Sequence, residues 1–190
     1  MGDNLGKDIK AAYEFLLGTF EDASRFFEIV EERLTSKVFD FKPTLTDSTV
    51  MWNTSSSYKG WKKWMPNYAG RGYKKKTSSK KNKLLRAFVF VHFNPERAEH
   101  PILTFGVVET KEEMGVGIGK WTRNVRTRTG PTFFDGELVT KWKMVTEGLD
   151  GDAAKIHYQL WNLIEISEKR VIHEICDLLK KKFEALERQQ

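Results

Sequence analysis

Cysteine is nearly absent from this 190-residue sequence. Cys176 is the only one, so the chain can form no internal disulfide, which is typical of proteins from a reducing compartment. The first ten residues, MGDNLGKDIK, lack the apolar segment of a secretory signal. No stretch approaches the roughly 18 apolar residues of a membrane span. We therefore expect a cytoplasmic protein that does not associate with membranes.

The sequence also lacks the spacing of the common catalytic and cofactor motifs. The glycines of Gly115–Lys120 (GVGIGK) are too close together for a phosphate loop, and Trp121 stands where that loop needs Ser or Thr. No Gly-x-Ser-x-Gly element indicates a serine hydrolase. No zinc-ligand spacing links the four histidines, which are His92, His100, His157 and His173. We therefore expect no metal or cofactor, and a binding protein in preference to an enzyme.

Hydrophobic periodicity divides the chain into a helix, several strands and a second helix. Apolar residues recur at three- and four-residue steps over 8–35, which predicts a helix interrupted near Gly18. A similar stripe predicts a long C-terminal helix from Asp152 to about Glu187. No crossover helix is predicted between the strands, so the expected class is α+β, with a mainly antiparallel sheet of about four to five strands. The length suits a single domain over 1–190.

The clearest predicted strand is 86–93 (RAFVFVHF), which is apolar on both faces and should therefore lie at the centre of the sheet, covered on both sides. The next is 102–108 (ILTFGVV), and the eight-residue link between them suits an antiparallel pair. Further strands are predicted at 38–41, 50–54 and 137–145.

The most unusual composition lies between 55 and 84, where glycines, a proline and a Ser-Ser pair predict an insertion loop. From Tyr58 to Arg86 there are eleven Lys or Arg and no Asp or Glu. Basic side chains neutralise phosphates, and aromatic rings stack on unpaired bases. The candidate nucleic-acid-binding residues of this segment are Lys59, Trp61, Lys62, Lys63, Trp64, Tyr68, Arg71, Tyr73, Lys74, Lys75 and Lys76. The alternative is a solvated loop whose aromatic rings pack on the sheet.

A second basic run lies at 120–128 and also contains no acid. Its candidate anion-binding residues are Lys120, Arg123, Arg126 and Arg128. The chain has a formal charge of +6, so formal counting leaves the rest of the protein at about −9. This asymmetry steers anionic partners towards the two runs. The two runs line one groove if the sheet brings them together, and otherwise 120–128 is a charged hairpin tip.

An alternative enzymatic hypothesis rests on Glu109 and Lys111. Their Glu-x-Lys arrangement at the end of an apolar strand occurs in metal-dependent nucleases. Such a site needs a further acidic ligand, because Mg²⁺ prefers carboxylate oxygens. The preceding strand, 86–93, offers none, so the ligand would have to come from elsewhere in the chain.

A third hypothesis is a protein-interaction subunit without catalytic activity. The long C-terminal helix, with its apolar stripe and basic end, would pair with a second copy or dock a partner protein. The leading hypothesis remains binding of nucleic acid, or of another polyanion, through the basic, aromatic-rich segment.

Overall fold

The computed structural model has an α+β fold, which confirms the class predicted from the sequence. The residues that it describes are 2–44, 49–52, 66–77, 84–93, 100–111, 124–125, 128–129, 139–149, 153–166 and 168–190. The elements within them are, in order, α1 (Gly2–Thr35), β1 (Phe41–Pro43), β2 (Thr49–Trp52), β3 (Pro66–Lys75), β4 (Leu85–His92), β5 (Ile102–Thr110), β6 (Val139–Val145), β7 (Ala153–Asn162), a 3-10 turn (Leu163–Glu165) and α2 (Lys169–Gln189).

The strands of the described part of the chain form one antiparallel sheet. Its order is β1-β3-β4-β5-β7-β6. β2 and β1 both pair with the same edge of β3, one after the other along that strand. The seven strands therefore make a sheet that is six strands wide. Each pair is antiparallel, including the predicted pairing of β4 with β5. The sheet therefore has more strands than the four to five expected, because two segments predicted to be loop and helix are strands.

β3 lies inside the segment predicted to be an insertion loop, which corrects that prediction for Pro66–Lys75. Its glycines suggested turns, but Gly70 lies directly beneath the ring of Phe90, where a Cβ would come within 2.6 Å of the ring atom Cε1. The absent side chain thus allows an aromatic ring of β4 to cover β3 closely. The remaining parts of the predicted loop, 55–65 and 78–83, lie outside the described residues.

β7 and α2 together replace the long C-terminal helix that the sequence predicted from Asp152. The apolar residues Ile156, Tyr158 and Leu160 of β7 alternate with the buried polar residues His157 and Gln159, which is the period of two typical of a strand. Asn162 ends the strand and caps the 3-10 turn, because its side chain accepts a hydrogen bond from the amide of Ile164 (3.1 Å). α2 begins only at Lys169.

α1 is continuous from Gly2 to Thr35, so the predicted interruption near Gly18 is absent. The hydroxyl of Thr19 donates to the carbonyl oxygen of Phe15 (3.0 Å) within the helix and does not cap a new one. α1 and α2 are the helices that flank the sheet in the described structure. Neither is long and apolar enough to cross a membrane.

Both faces of the central strands are buried, as predicted for 86–93. Alternate residues of β4 and β5, such as Val89 and Phe105, pack against the apolar stripes of α1 and α2. The intervening residues, such as Phe88 and Phe90, form a second cluster on the opposite face. We call these the helix face and the opposite face of the sheet. Burying both faces accounts for the continuous apolar runs of these two strands.

Candidate functional site

Many of the candidate nucleic-acid-binding residues lie outside the described part of the chain. These are Lys59, Trp61, Lys62, Lys63, Trp64, Lys120, Arg123 and Arg126. The structure places the remaining candidates on β3, immediately after it, or near the turn between β6 and β7.

Tyr68 and Tyr73 belong to the core, which corrects their predicted role as rings that stack on bases. Tyr73 is fully buried among the residues of the helix face, and Tyr68 is buried against Phe90 on the opposite face. Burial raises the pKa of the Tyr73 phenol above its ordinary value. The hydroxyl of Tyr73 makes no hydrogen bond to the described residues. A ring must be exposed to stack on a base, so the two tyrosines stabilise the scaffold instead.

Arg71 faces acidic side chains of α1. Its guanidinium forms an ion pair with Glu31, and both side chains are partly exposed. The two residues line an open cleft of about 510 Å³ together with Glu28 and Glu32. Three carboxylates beside one guanidinium make this cleft negative, so it does not favour an anion. Arg71 thus secures β3 to α1 across the helix face.

Lysines concentrate where β1 pairs with the end of β3. Lys42 and Lys74 are direct cross-strand partners, and neither forms an ion pair with a described carboxylate. Such partners have Cβ atoms about 5 Å apart, and like-charged side chains directly opposite each other are destabilising. We call the surface formed by these two residues and by the exposed Lys37 and Lys76 the basic edge. The sequence did not reveal Lys42, because only the strand pairing brings it to Lys74, nor Lys37, which lies in the turn to which Lys76 is hydrogen-bonded.

Lys75 supports the basic edge from inside the fold. Its Nζ donates to the carbonyl oxygen of Phe39 (2.8 Å) and lies 4.5 Å from the centre of the Phe41 ring. Lys76 Nζ donates to the carbonyl oxygen of Thr35 (2.5 Å), at the negative end of the α1 dipole. Lys75 is therefore held by the scaffold, whereas Lys76 is exposed and has further N–H groups to donate.

Asp40 is the one acid that interacts with these lysines among the described residues. Its carboxylate accepts a hydrogen bond from the Thr77 hydroxyl (2.8 Å), and its pKa lies below the ordinary value because of this bond, the Thr77 amide, and the charges of Lys75 and Lys76. Asp40 has φ +59°, a left-handed conformation that aspartate tolerates better than most residues, and it turns the chain from α1 into β1. With Lys75 included, five lysines and one aspartate give this corner a formal charge of +4.

Arg128 is the one candidate of the second basic run that the structure describes, and it lies at the other edge of the sheet. Its guanidinium packs against Gly148, in the turn between β6 and β7, where a Cβ would come within 2.6 Å of Nη2. β6 is the edge strand farthest from β1 in the strand order. The described structure thus does not bring Arg128 to the basic edge.

Glu109, the proposed nuclease ligand, is engaged by a histidine that the sequence did not single out for this role. His157 on β7 donates from Nε2 to the carboxylate of Glu109 (2.6 Å), and their side chains are only 8% and 14% exposed. Lys155 Nζ lies 3.9 Å from the other carboxylate oxygen. Burial lowers the pKa of His157, although the hydrogen bond to Glu109 partly opposes this shift.

Lys111 is exposed just beyond β5, and no third metal-binding side chain joins Glu109 and His157 among the described residues. A nuclease site on Glu109 and Lys111 would still need the further acidic ligand noted from the sequence. Glu109 instead accepts a hydrogen bond from His157 and lies near the half-exposed Lys155, and these contacts link β5 to β7 on the helix face.

The apolar stripe of α2 is covered within the chain, which bears on the hypothesis of pairing through the C-terminal helix. Its residues from Ile172 to Leu186 are buried against the sheet and α1, and Cys176 lies among them. A second copy therefore cannot use this stripe without displacing the core.

The chain has no counterpart in the comparisons with known proteins. No protein-family model, curated protein or solved structure matches it.

Proposed function

We propose that this protein binds the phosphate backbone of nucleic acids through the basic edge. The observation that carries the proposal is the direct pairing of Lys42 with Lys74, without a described carboxylate beside either ammonium. Placing two like charges opposite each other costs stability in the free protein. A bound phosphate between them removes that cost, so binding relieves a repulsion that the fold imposes.

The surrounding residues support the same function. Lys76 and Lys37, which lies in the turn that Lys76 contacts, are exposed, and Lys75 adds a positive charge from within the scaffold. Because Tyr68 and Tyr73 are buried, the described surface offers charge and no stacking ring from the predicted set. We therefore expect affinity with little base preference, as in other binding dominated by phosphate contacts.

The test is the salt dependence of binding to a fluorescent single-stranded oligonucleotide, followed by anisotropy. For a single strand, each phosphate contact contributes about 0.7 to the slope of log K against log salt concentration. Replacing Lys42→Gln and Lys74→Gln together should therefore reduce the magnitude of the slope by about 1.4. Binding that does not depend on salt, or a double variant with an unchanged slope, would contradict the proposal.

Lys141 and Lys143 provide a matched control. Both are exposed on β6, the opposite edge strand, which lies roughly 24 Å away along the sheet at about 4.8 Å per strand. Replacing Lys141→Gln and Lys143→Gln changes the net charge by the same amount, and we expect this variant to keep the wild-type slope. Competition with heparin distinguishes general polyanion binding from nucleic-acid binding. If the site binds any polyanion, heparin and unlabelled nucleic acid should compete equally at equal charge.

A further inference from the structure

The N-terminal half of α1 projects from the body of the protein with an exposed apolar stripe. α1 has 34 residues, and none of its described side chains between Gly6 and Phe20 is buried. Ile9 and Tyr13 are each 62% exposed, and Leu16 is partly exposed. This projecting half, from Gly2 to Thr19, is about 27 Å long at 1.5 Å per residue.

The exposed stripe continues the buried stripe of the same helix. The apolar positions alternate in steps of four and three residues along the whole helix, and they are Ile9, Tyr13, Leu16, Phe20, Ala23, Phe27, Val30 and Leu34. In the second half, Ala23, Val30 and Leu34 are buried against the body of the protein. A repeat of 3.5 residues is the spacing with which helices pack along their length. The first half therefore has the pattern of a packed helix and lacks its partner in the described structure.

An apolar cleft begins where the projecting half ends. It has a volume of about 520 Å³ and lies between the middle of α1, the end of β4 and the start of α2. Its apolar lining includes Phe26, Ile29, Phe93, Leu163 and Ile172. Stripe and cleft are thus neighbouring parts of one apolar surface.

We infer that a second copy of this chain covers this surface, with the two α1 helices antiparallel. The charges beside the stripe favour this occupant. Lys10 and Glu21 are eleven residues apart, or about three helical turns, so they lie on the same flank. Antiparallel pairing centred between Tyr13 and Leu16 brings Lys10 of each copy close to Glu21 of the other. Parallel pairing would instead place Lys10 and Glu21 of the two copies on opposite flanks of the interface and about 16 Å apart along the axis, so this ion pair would not form.

The same pairing also brings the helix of the second copy to the cleft. With the axis between Tyr13 and Leu16, the first turns of one copy lie opposite Phe20 to Ala23 of the other, at the mouth of the cleft. The interface is isologous, since each copy contributes the same stripe and the same cleft. The helix-in-groove contact is a common way to bury an amphipathic helix.

Sedimentation velocity of the full chain tests the inference. We expect a dimer in the wild type, and a monomer in Tyr13→Glu because the charge would be buried in the stripe. Phe15→Glu is the matched control, since Phe15 is 74% exposed but lies well off the stripe on the helical wheel. That variant should remain a dimer. A wild type that is monomeric throughout the micromolar range would overturn the inference, as would equal dissociation of both variants.

Cysteine cross-linking tests the direction of the two helices. The native Cys176 is buried, and its pKa is raised to about 12, so it reacts slowly with maleimides. A short bis-maleimide should join Lys10→Cys to Glu21→Cys in a mixture of the two variants, and it should join either variant to itself much less. Predominant self-linking of Lys10→Cys would exclude the antiparallel arrangement.

Discussion

At the scale of single residues, His157 is a buried histidine whose protonation is tied to the fold. Its imidazole donates to Glu109, and the charges that also act on it are Lys155 on the same strand and Lys182 on α2. Burial lowers its pKa below the ordinary value of about 6.5, because a charged imidazole would lose hydration. The folded protein therefore favours the neutral ring.

The pKa of His157 predicts how stability depends on pH. In the unfolded chain the ring takes up a proton as the pH falls through about 6.5, whereas in the folded chain it does so only at lower pH. The unfolded state thus binds more protons in this window, and the free energy of unfolding decreases as the pH falls below about 6.5. Urea denaturation at several pH values should show a smaller decrease for His157→Gln than for the wild type. Identical pH profiles for the two proteins would contradict this prediction.

The candidate site illustrates what the sequence can predict at the residue scale. The high density of basic residues from Tyr58 to Arg86 was evident from composition, and Lys74 and Lys76 lie on the basic edge. Composition does not reveal which side of a strand a residue occupies, so Tyr73 was assigned to a binding surface although it is buried. Lys42 was missed because its partner Lys74 is 32 residues away in the sequence. Only the register of β1 on β3 makes the two lysines neighbours.

At the scale of elements, periodicity predicted those helices and strands that have a clear amphipathic pattern or a doubly buried core. The segments that became α1, β4 and β5 were assigned correctly in type, with boundaries that differ by a few residues. β3 was missed because its glycines indicate turns in an isolated sequence. In the sheet Gly70 accepts the ring of Phe90 on β4, and this contact depends on another strand. β7 was missed although Ile156, Tyr158 and Leu160 alternate with polar residues, because Leu160 also fits the four-residue step to Ile164 of the predicted helical stripe.

The close fit of β3 with β4, and of β5 with β4 and β7, predicts unequal costs for alanine at two strand glycines. At Gly106 in β5, a Cβ would meet the carbonyl oxygen of His157, which is backbone and cannot move aside, and it would also lie 2.8 Å from the Phe88 ring. At Gly70 the nearest atoms all belong to the Phe90 side chain, which can rotate. We expect Gly70→Ala to cost about 1–3 kcal/mol, as is usual for overpacking, and Gly106→Ala to cost more.

Urea denaturation measures these costs, and Gly18→Ala in α1 is the control. Gly18 has nothing within 4 Å of its added Cβ, so alanine there should stabilise the protein by up to about 1 kcal/mol through helix propensity. A Gly106→Ala variant as stable as the wild type would contradict the close approach of β5 to β7 at this position.

At the scale of the whole molecule, charge and apolar surface are separated along α1. Its C-terminal end adjoins the basic edge, where Lys76 binds the carbonyl of Thr35. Its N-terminal half carries the exposed apolar stripe. Association through the stripe would therefore leave the basic edge free, and the two proposals can be tested separately. A Tyr13→Glu monomer should still bind a short oligonucleotide with the wild-type salt slope.

In a dimer, the 34 residues of α1 would set the distance between the two basic edges. With the helices antiparallel and centred between Tyr13 and Leu16, the two Thr35 ends lie roughly 60 Å apart at 1.5 Å per residue. A rigid duplex spans that distance with about 18 base pairs at 3.4 Å each. Duplexes shorter than this should occupy one basic edge, and longer ones should gain avidity by reaching both. Affinity measured against duplex length should thus rise steeply near this value in the wild type and only gradually in Tyr13→Glu. The spacing between the bound phosphates would then be set by the length of a helix that contacts no phosphate itself.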